Sequence, residues 1–296
     1  MRLTVFLSAL LLATAPLRAA EADGLTVVGS DLLGKKFSAG LTAFAQRAGL
    51  ALKLNLTGSH AGLDALQDNK ADLALLVFSK REKPPGAPFV AQPVAYHTVV
   101  AVVPADLPLE QLSFAQLRAI YCASEGDQPP KSWDALGVPA TSTWGRASIS
   151  PVISGPGGGL AYDLFRNNVL PSPGLRVVVT VEADASAALK RVASGSSGLA
   201  IVPVLPPGRK DLRALSLSRG TRDVAFGPTP ENIHSGDYPV PSLPLHVVFR
   251  ADAAKRLLPL LRFLHSTDAV TLWQDAQLVP LPASAREGQI AEFETM

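Results

Sequence analysis

Three loops of this chain carry residues suited to holding an anion. Gly29-Ser30 follows an apolar run that reads as a strand and precedes a helical stretch, so a hydroxyl and free backbone amides point at whatever lies beyond the strand's carboxyl end. Gly58-Ser59-His60-Ala61-Gly62 repeats that placement after a second strand. Ser154-Gly155-Pro156-Gly157-Gly158-Gly159 is the third, and its glycines allow the positive φ and close backbone approach that a cradle of amides needs. Glycine and serine are also ordinary strand-to-helix connectors, so each loop alone reads equally as a turn. Their equivalent positions in a strand-loop-helix order are what make the set informative.

Other chemistries find little to work with. The third loop lacks the dinucleotide pattern: after Gly155 and Gly157, the place of the third glycine is taken by Leu160, and no Gly-Lys-Ser/Thr follows. Histidines 60, 97, 234, 246 and 265 lack the pairing of a zinc site, and Gly195-Ser196-Ser197-Gly198 is not a nucleophile elbow, which requires glycine two residues either side of serine. No cofactor, no metal and no catalysis are expected. Hydrolysis of a phosphoester, the enzymatic alternative, has no nucleophile–base pair or metal set to carry it.

The elements that must position these loops alternate along the chain. Leu25 to Gly29 reads as a strand, followed by a helical stretch toward Ala48, then Leu50, Leu52, Leu54 and Leu56 at period two, the mark of a half-buried strand. Gly62 to Asp68 gives a short helix, Asp72 to Phe78 an apolar strand and Val94 to Val103 a longer β-branched run. After Pro104, Phe114, Leu117, Ile120 and Tyr121 mark one face of a helix capped by Ser113. The alternation then repeats: strand Ile149 to Ile153, helix Gly159 to Asn167, strand Val177 to Val181, helix Ala183 to Ser194, strand Leu199 to Val202. Pro203 to Gly208 is a proline-rich break where the chain can cross back. Leu243 to Phe249 reads as a strand, Ala253 to His265 as a helix, and Trp273 as a residue packing the last helix. The order implies α/β sheets with buried strands.

Met1-Arg2, the apolar run Leu3 to Leu12 and the small residues to Ala22 have the charge, length and exit of a secretory signal, with Ala20-Glu21-Ala22 as a small-x-small cleavage site and a cut after Ala19 or Ala20 as the alternative. The apolar run is shorter than the roughly 20 residues a membrane anchor requires. Cleavage after Ala22 leaves about 274 residues, more than one average domain, and the 47% hydrophobic content supports two substantial cores. The formal charge of +2 falls to about +1 after cleavage, so no global basic field argues for nucleic acid. The single cysteine, Cys122, reads as a buried small hydrophobe on a helix.

A fourth stretch, Pro228-Thr229-Pro230-Glu231-Asn232-Ile233-His234-Ser235-Gly236-Asp237-Tyr238-Pro239, reads as a capped helical turn: Thr229 accepts from free amides, Pro230 suits the first helical position, and Ser235-Gly236-Asp237 ends it. This stretch resembles a segment near the end of phosphate-type periplasmic binding proteins of ABC transporters. Leu25 to Ser30, Thr57-Gly58-Ser59 and Lys70-Ala71-Asp72-Leu73-Ala74 resemble that family's first lobe. Leu112 to Tyr121, Ser132-Trp133 and Gly198-Leu199-Ala200-Ile201 resemble its second, and Pro241 to Phe249 its return segment. The similarity is collinear over nearly all of the chain after the leader.

The resemblance implies a two-lobed type II periplasmic binding fold, with a ligand cleft between α/β lobes. Its parts would be a leader at 1–22, lobe 1 at 23–98, lobe 2 at 99–204, and a return crossover with the rest of lobe 1 at 205–296. It implies a periplasmic, monomeric protein without membrane insertion, which holds a phosphate-like oxyanion and closes around it for a membrane permease to recognise. Carried over position by position, the ligand residues are Ser30 and Asp31 from the first loop, Ser59 and His60 from the second, and Gly157, Gly158 and Gly159, with Leu160, from the third. Two family features are missing. A carboxylate that accepts phosphate's proton is replaced by Val77 or Phe78, and an arginine of the third loop by Ser154 or Gly155; Asp31, Lys80 and Arg81 are candidates to compensate. Each charged hydrogen bond contributes roughly 1.5–3 kcal/mol, so these losses weaken tight phosphate recognition. The alternative is therefore a divergent module that has kept the fold and serves as a sensor input or an envelope interaction protein.

Overall fold

The computed structural model describes residues 24–123, 129–170, 174–195 and 198–296. The leader expected at 1–22 and the Ser196-Ser197 pair lie outside them. Two mixed sheets organise the chain. Strands β1 (Leu25–Gly29), β2 (Leu52–Asn55), β3 (Leu73–Val77) and β4 (Phe89–His97) alternate with helices α1 (Gly34–Arg47) and α2 (Ser59–Gln67). Strand β5 (Val100–Pro104) follows β4 after only Thr98 and Val99, then come β6 (Gln111–Ser113), α3 (Phe114–Tyr121), β7 (Pro151–Ser154), α4 (Ala161–Asn168), β8 (Thr180–Glu182), α5 (Ala185–Ala193), β9 (Leu199–Val202), β10 (Leu212–Ala214) and β11 (Ser216–Ser218). The chain ends with α6 (Pro230–Ser235), β12 (Leu243–Arg250), α7 (Ala254–Leu264), α8 (Thr267–Asp275), β13 (Val279–Pro280) and α9 (Ala283–Thr295).

The first sheet has the order β13-β4-β12-β3-β1-β2 and the second β10-β5-β9-β7-β8, with β6 and β11 forming a small parallel pair. Strands that read as continuous apolar runs are covered on both faces. In β3, Leu73 and Leu75 join one core with Phe37, Leu41 and Trp273, while Ala74 and Leu76 join another with Leu66 and Val248. In β5, Ala101 and Val103 point into the core that holds Trp133 and Tyr121, and Val100 and Val102 into one built on α5. The alternating leucines of β2 pack inward from the edge, while Lys53 and Asn55 face water.

Three readings change. The run Val94 to Val103 is not one strand: Thr98-Val99 carries it from the first sheet into the second, so β4 and β5 are one crossing. Past Pro203 to Gly208 the chain stays with the second sheet, where β10 pairs antiparallel with β5, and it first rejoins the first sheet at β12. Val177 and Val178 are exposed, and the strand there shrinks to Thr180–Glu182, an edge strand with no partner beyond β7. Cys122 is buried as expected but lies just past α3, in extended backbone. Trp273 sits in α8, where its ring meets Phe37 of α1 at 4.9 Å, and α9 follows it.

The motif residues outside the loops turn out to hold this frame. Ser113 and Gln116 form a reciprocal capping box on α3. Trp133 lies so close beneath Gly198 that an added Cβ would meet its ring at 2.4 Å. Thr229 caps α6 through the Asn232 amide, and beyond it Tyr238 donates its hydroxyl to the Val99 carbonyl at 2.8 Å. Ser242 donates to Thr98 Oγ1 at 3.1 Å. The outgoing and returning segments are thus tied together where the chain passes between sheets. Among the described residues no helix is long and apolar enough to cross a membrane.

Candidate functional site

Helix starts distinguish the three loops. Helices α3, α5, α6 and α8 begin with a side-chain cap from Ser113, Asp184, Thr229 and Ser266. Helices α2 and α4, which follow the second and third loops, have none, a lack that α7 and α9 share elsewhere, whereas α1 runs on from the 3-10 turn Asp31–Leu33 that Ser30 caps and its Gly34 amide donates to the Asp31 carbonyl. An uncapped N-terminus leaves amide donors and the positive end of the helix dipole for an outside acceptor.

The structure brings two of these loops together. A cavity of about 190 Å3 is lined by Leu32 to Lys36 from the start of α1, by His97 and Thr98 at the crossing, by Gly157, Gly159, Leu160 and Ala161 of the third loop, and by Pro203, Asp275, Ala276 and Gln277. These residues come from both sheets, so the cavity lies in the cleft between the lobes. Ser30 and Asp31 stand just before it: Ser30 is buried and its hydroxyl accepts from the Leu32 amide at 3.3 Å, capping a 3-10 turn, while Asp31 is exposed. Gly158 closes the 3-10 turn Pro156–Gly158 between its neighbours.

The second loop begins beside the first, its Gly58 amide donating to the Gly29 carbonyl at 2.9 Å, but its side chains line another cavity. Ser59 accepts from the Val77 amide at 3.0 Å, and with His60, Leu63, Phe78, Glu82 and Lys83 it lines a separate cavity of about 180 Å3. His60 is 85% exposed and bonded to Glu82 at 2.7 Å. The Ser79 amide, and after it His60, hold the Glu82 carboxyl below the usual carboxylate range, so this cavity carries an anion at neutral pH. Glu82 and Lys83 bring opposite charges to that cavity, while Asp275 lines the cleft cavity together with Lys35 and Lys36. The family's carboxylate position holds Val77 and Phe78, and the Lys80 ammonium donates one hydrogen bond to Asn168 Oδ1 across the cleft at 2.8 Å. Arg81 is exposed.

Lys35, Lys36, His97, Thr98 and Gln277 were not foreseen. A sequence signal for the lysines existed, since two cations in the first turn of a helix oppose its dipole and call for another partner. At His97 burial alone pushes the imidazole from 6.5 down to about 4, and its Nε2 has no hydrogen-bond partner. The unfolded chain therefore takes up a proton near 6.5 that the folded protein refuses until about 4. His97 should thus remove about 3 kcal/mol of stability as pH falls through that window and nothing above it. Burial lowers His246 and His265 in the same direction. Urea unfolding at pH 7.5 and 4.5 checks this, with a smaller loss expected for His97→Gln.

A larger cavity, about 620 Å3, is bordered by Gly227 to Glu231 and Val279 to Ala283. Pro228, Pro230, Pro280 and Pro282 supply no amide there, while Arg286 and Gln274 also line it. Among the described residues no group of three or more His, Cys, Asp or Glu side chains is arranged to hold a metal ion.

Two mixed α/β lobes joined by crossing strands, with a cleft cavity at the crossing, define a two-lobed binding fold. The family model of the PBP superfamily domain matches residues 14–267, and the chain belongs to that superfamily. Solved structures share the fold. A possible phosphate binding protein from Planctomyces limnophilus is 19% identical, with a TM-score of 0.58 over 91% of this chain and 98% of its own. An ABC-type phosphate transport receptor from Vibrio cholerae is 18% identical, with a TM-score of 0.54 over 87% and 100%. A putative phosphate ABC transporter substrate-binding protein with bound phosphate, from Clostridium perfringens, is 17% identical, with a TM-score of 0.52 over 88% and 100%. No curated protein sequence matches the chain.

Proposed function

We propose that this is an exported solute-binding protein that captures phosphate or a similar small oxyanion in the cleft and presents it to an ABC importer, catalysing no reaction. The observation that carries the reading is the convergence, in one cavity, of the uncapped start of α4, the glycines of the third loop and Lys35-Lys36 in the first turn of α1. Donors from both lobes reward a closed arrangement, because a ligand bridging them binds that state better than an open one. The phosphate-binding proteins that share the fold support the same class of solute. The proposal includes export to the periplasm by the leader expected at 1–22, and a monomer.

The site proposed within this reading is the first and third loops, with Gly157 to Gly159 central, rather than Ser59 and His60. His60→Ala should accordingly change phosphate affinity by less than about twofold, since an exposed pair contributes little. Calorimetry and thermal shift on the phosphate-stripped protein test the function: heat and stabilisation with phosphate are expected. No response to phosphate, sulfate or molybdate would leave the divergent sensor or envelope module, which the apolar Val77-Phe78 position favours.

A further inference from the structure

The cavity of about 620 Å3 shares no lining residue with the cleft cavity, although the two adjoin at Pro203-Val204 and at Gln274-Asp275. Its walls come from both lobes: Val204, Leu205 and Ala214 belong with the second sheet, Val270 and Leu281 with the first. Val204, Leu205, Ala214 and Val270 are only half-buried, so an apolar occupant would cover surface that the fold leaves in water. The prolines at 228, 230, 280 and 282 fix their own φ and offer no N–H, which makes this part of the wall stiff and free of donors. Stiff walls suit an apolar body, because little freedom is lost when it binds. The volume falls within the range of about 300 to 1,000 Å3 typical of small-molecule sites.

One end of the cavity is cationic. Pro282, Ala283 and Arg286 all border it, and their spacing of three and four residues places them on one face at the start of α9. Arg286 is half-buried. Its Nη1 donates to the His265 carbonyl at 2.9 Å, yet among the described residues it forms no ion pair with a carboxylate. The start of α9 carries no side-chain cap, so the helix dipole adds to the positive field of the guanidinium.

The cavity also has a carboxylate, Glu231, but its situation differs. Glu231 is exposed and lies in the first turn of α6, where the helix dipole already favours its charge. An exposed charge gains little from a partner, whereas a half-buried guanidinium gains a charge-assisted, bidentate pair from a carboxylate. The charge of the occupant is therefore set at Arg286.

We propose that this cavity is a second ligand site, which takes a small amphipathic carboxylate with its apolar chain between the proline-lined walls and its carboxylate on Arg286. The site is separate from the cleft, and the proposal stands independently of the oxyanion reading.

The test is calorimetric titration of the full mature chain at pH 7.5 with three eight-carbon probes that share one apolar body: octanoate, 1-octanol and octylamine. Octanoate should bind saturably at one site, at least about tenfold more tightly than either of the others. Arg286→Met keeps an apolar side chain of similar reach and removes the charge, so octanoate should weaken about tenfold, to the level of octanol, with octanol unchanged. Val270→Phe fills the cavity from α8 and leaves Arg286 in place; it should weaken octanoate and octanol alike by about tenfold or more, and it decides the matter if Arg286→Met fails to fold. No saturable octanoate binding, octanol or octylamine binding as tightly as octanoate, or unchanged octanoate affinity in either folded variant overturns the site. Phosphate titrated into the same samples reports separately on the cleft, so loss of one response leaves the other reading standing.

Discussion

Gly29→Ala should destabilise the protein by more than about 3 kcal/mol, the largest effect of any single methyl group placed around the first loop. Gly29 ends β1 at φ 145°, and an added Cβ would stand 2.1 Å from the Leu75 carbonyl oxygen on β3, a distance no side-chain motion can relieve because the obstacle is backbone. The same carbonyl accepts from the Ser30 amide at 2.8 Å, and the Gly29 carbonyl accepts from the Gly58 amide at 2.9 Å. Helix α2 leans on this point too, with Gly62 in contact with the Gly29 backbone. One residue thus fixes β1 against β3 and sets the starts of both the first and second loops. Urea denaturation measures the loss. Gly86→Ala, at an open position, is the control and should fall within about 0.5 kcal/mol of wild type.

Gly159→Val should lower phosphate affinity on the order of 100-fold while leaving a folded protein. Gly159 has φ 99°, so valine carries backbone strain of roughly 1–3 kcal/mol, less than the expected cost at Gly29. Its side chain would also enter the cleft cavity against Gln277 and displace the third loop from the start of α4. Calorimetry gives the affinity and a circular dichroism melt separates it from unfolding. Wild-type affinity in a folded Gly159→Val would place the ligand elsewhere than this cavity.

Much of the frame was readable because it is written in local chemistry. Leucines at period two gave β2, Ser113 gave the cap of α3, and Thr229-Pro230 with Gly236 gave the bounds of α6. The sheet change inside Val94 to Val103 was not readable, because β4 from Val94 and all of β5 are buried on both sides and no alternation breaks at Thr98. Pro203 to Gly208 read as the return point, and only the pairing of β10 with β5 shows that the chain stays with the second sheet there.

The site was legible as loops and illegible as a set. Equivalent placement after three strands suggested a common site; the first and third loops line one cavity, while Ser59 and His60 line another with Glu82. Glu82 lies 22 residues beyond His60, and nothing local announces their pairing. Gln277 lies far along the chain from Gly159, and its left-handed backbone is invisible without coordinates because glutamine carries no preference for it. The motif from Pro228 to Pro239 identified the family yet works as a clamp on the crossing through Tyr238 and Val99, away from the candidate ligand loops.

The central claim is that an oxyanion binds where the first loop, the third loop and the crossing meet. Backbone amide shifts of the isotope-labelled protein, followed by NMR during titration with phosphate, test it most directly. The account predicts saturable changes concentrated at Lys35, Lys36, Thr98, Gly157, Gly159 and Gln277, with Ser59 and His60 shifting less. Changes confined to the Ser59–Glu82 cavity, or none at all, would contradict it.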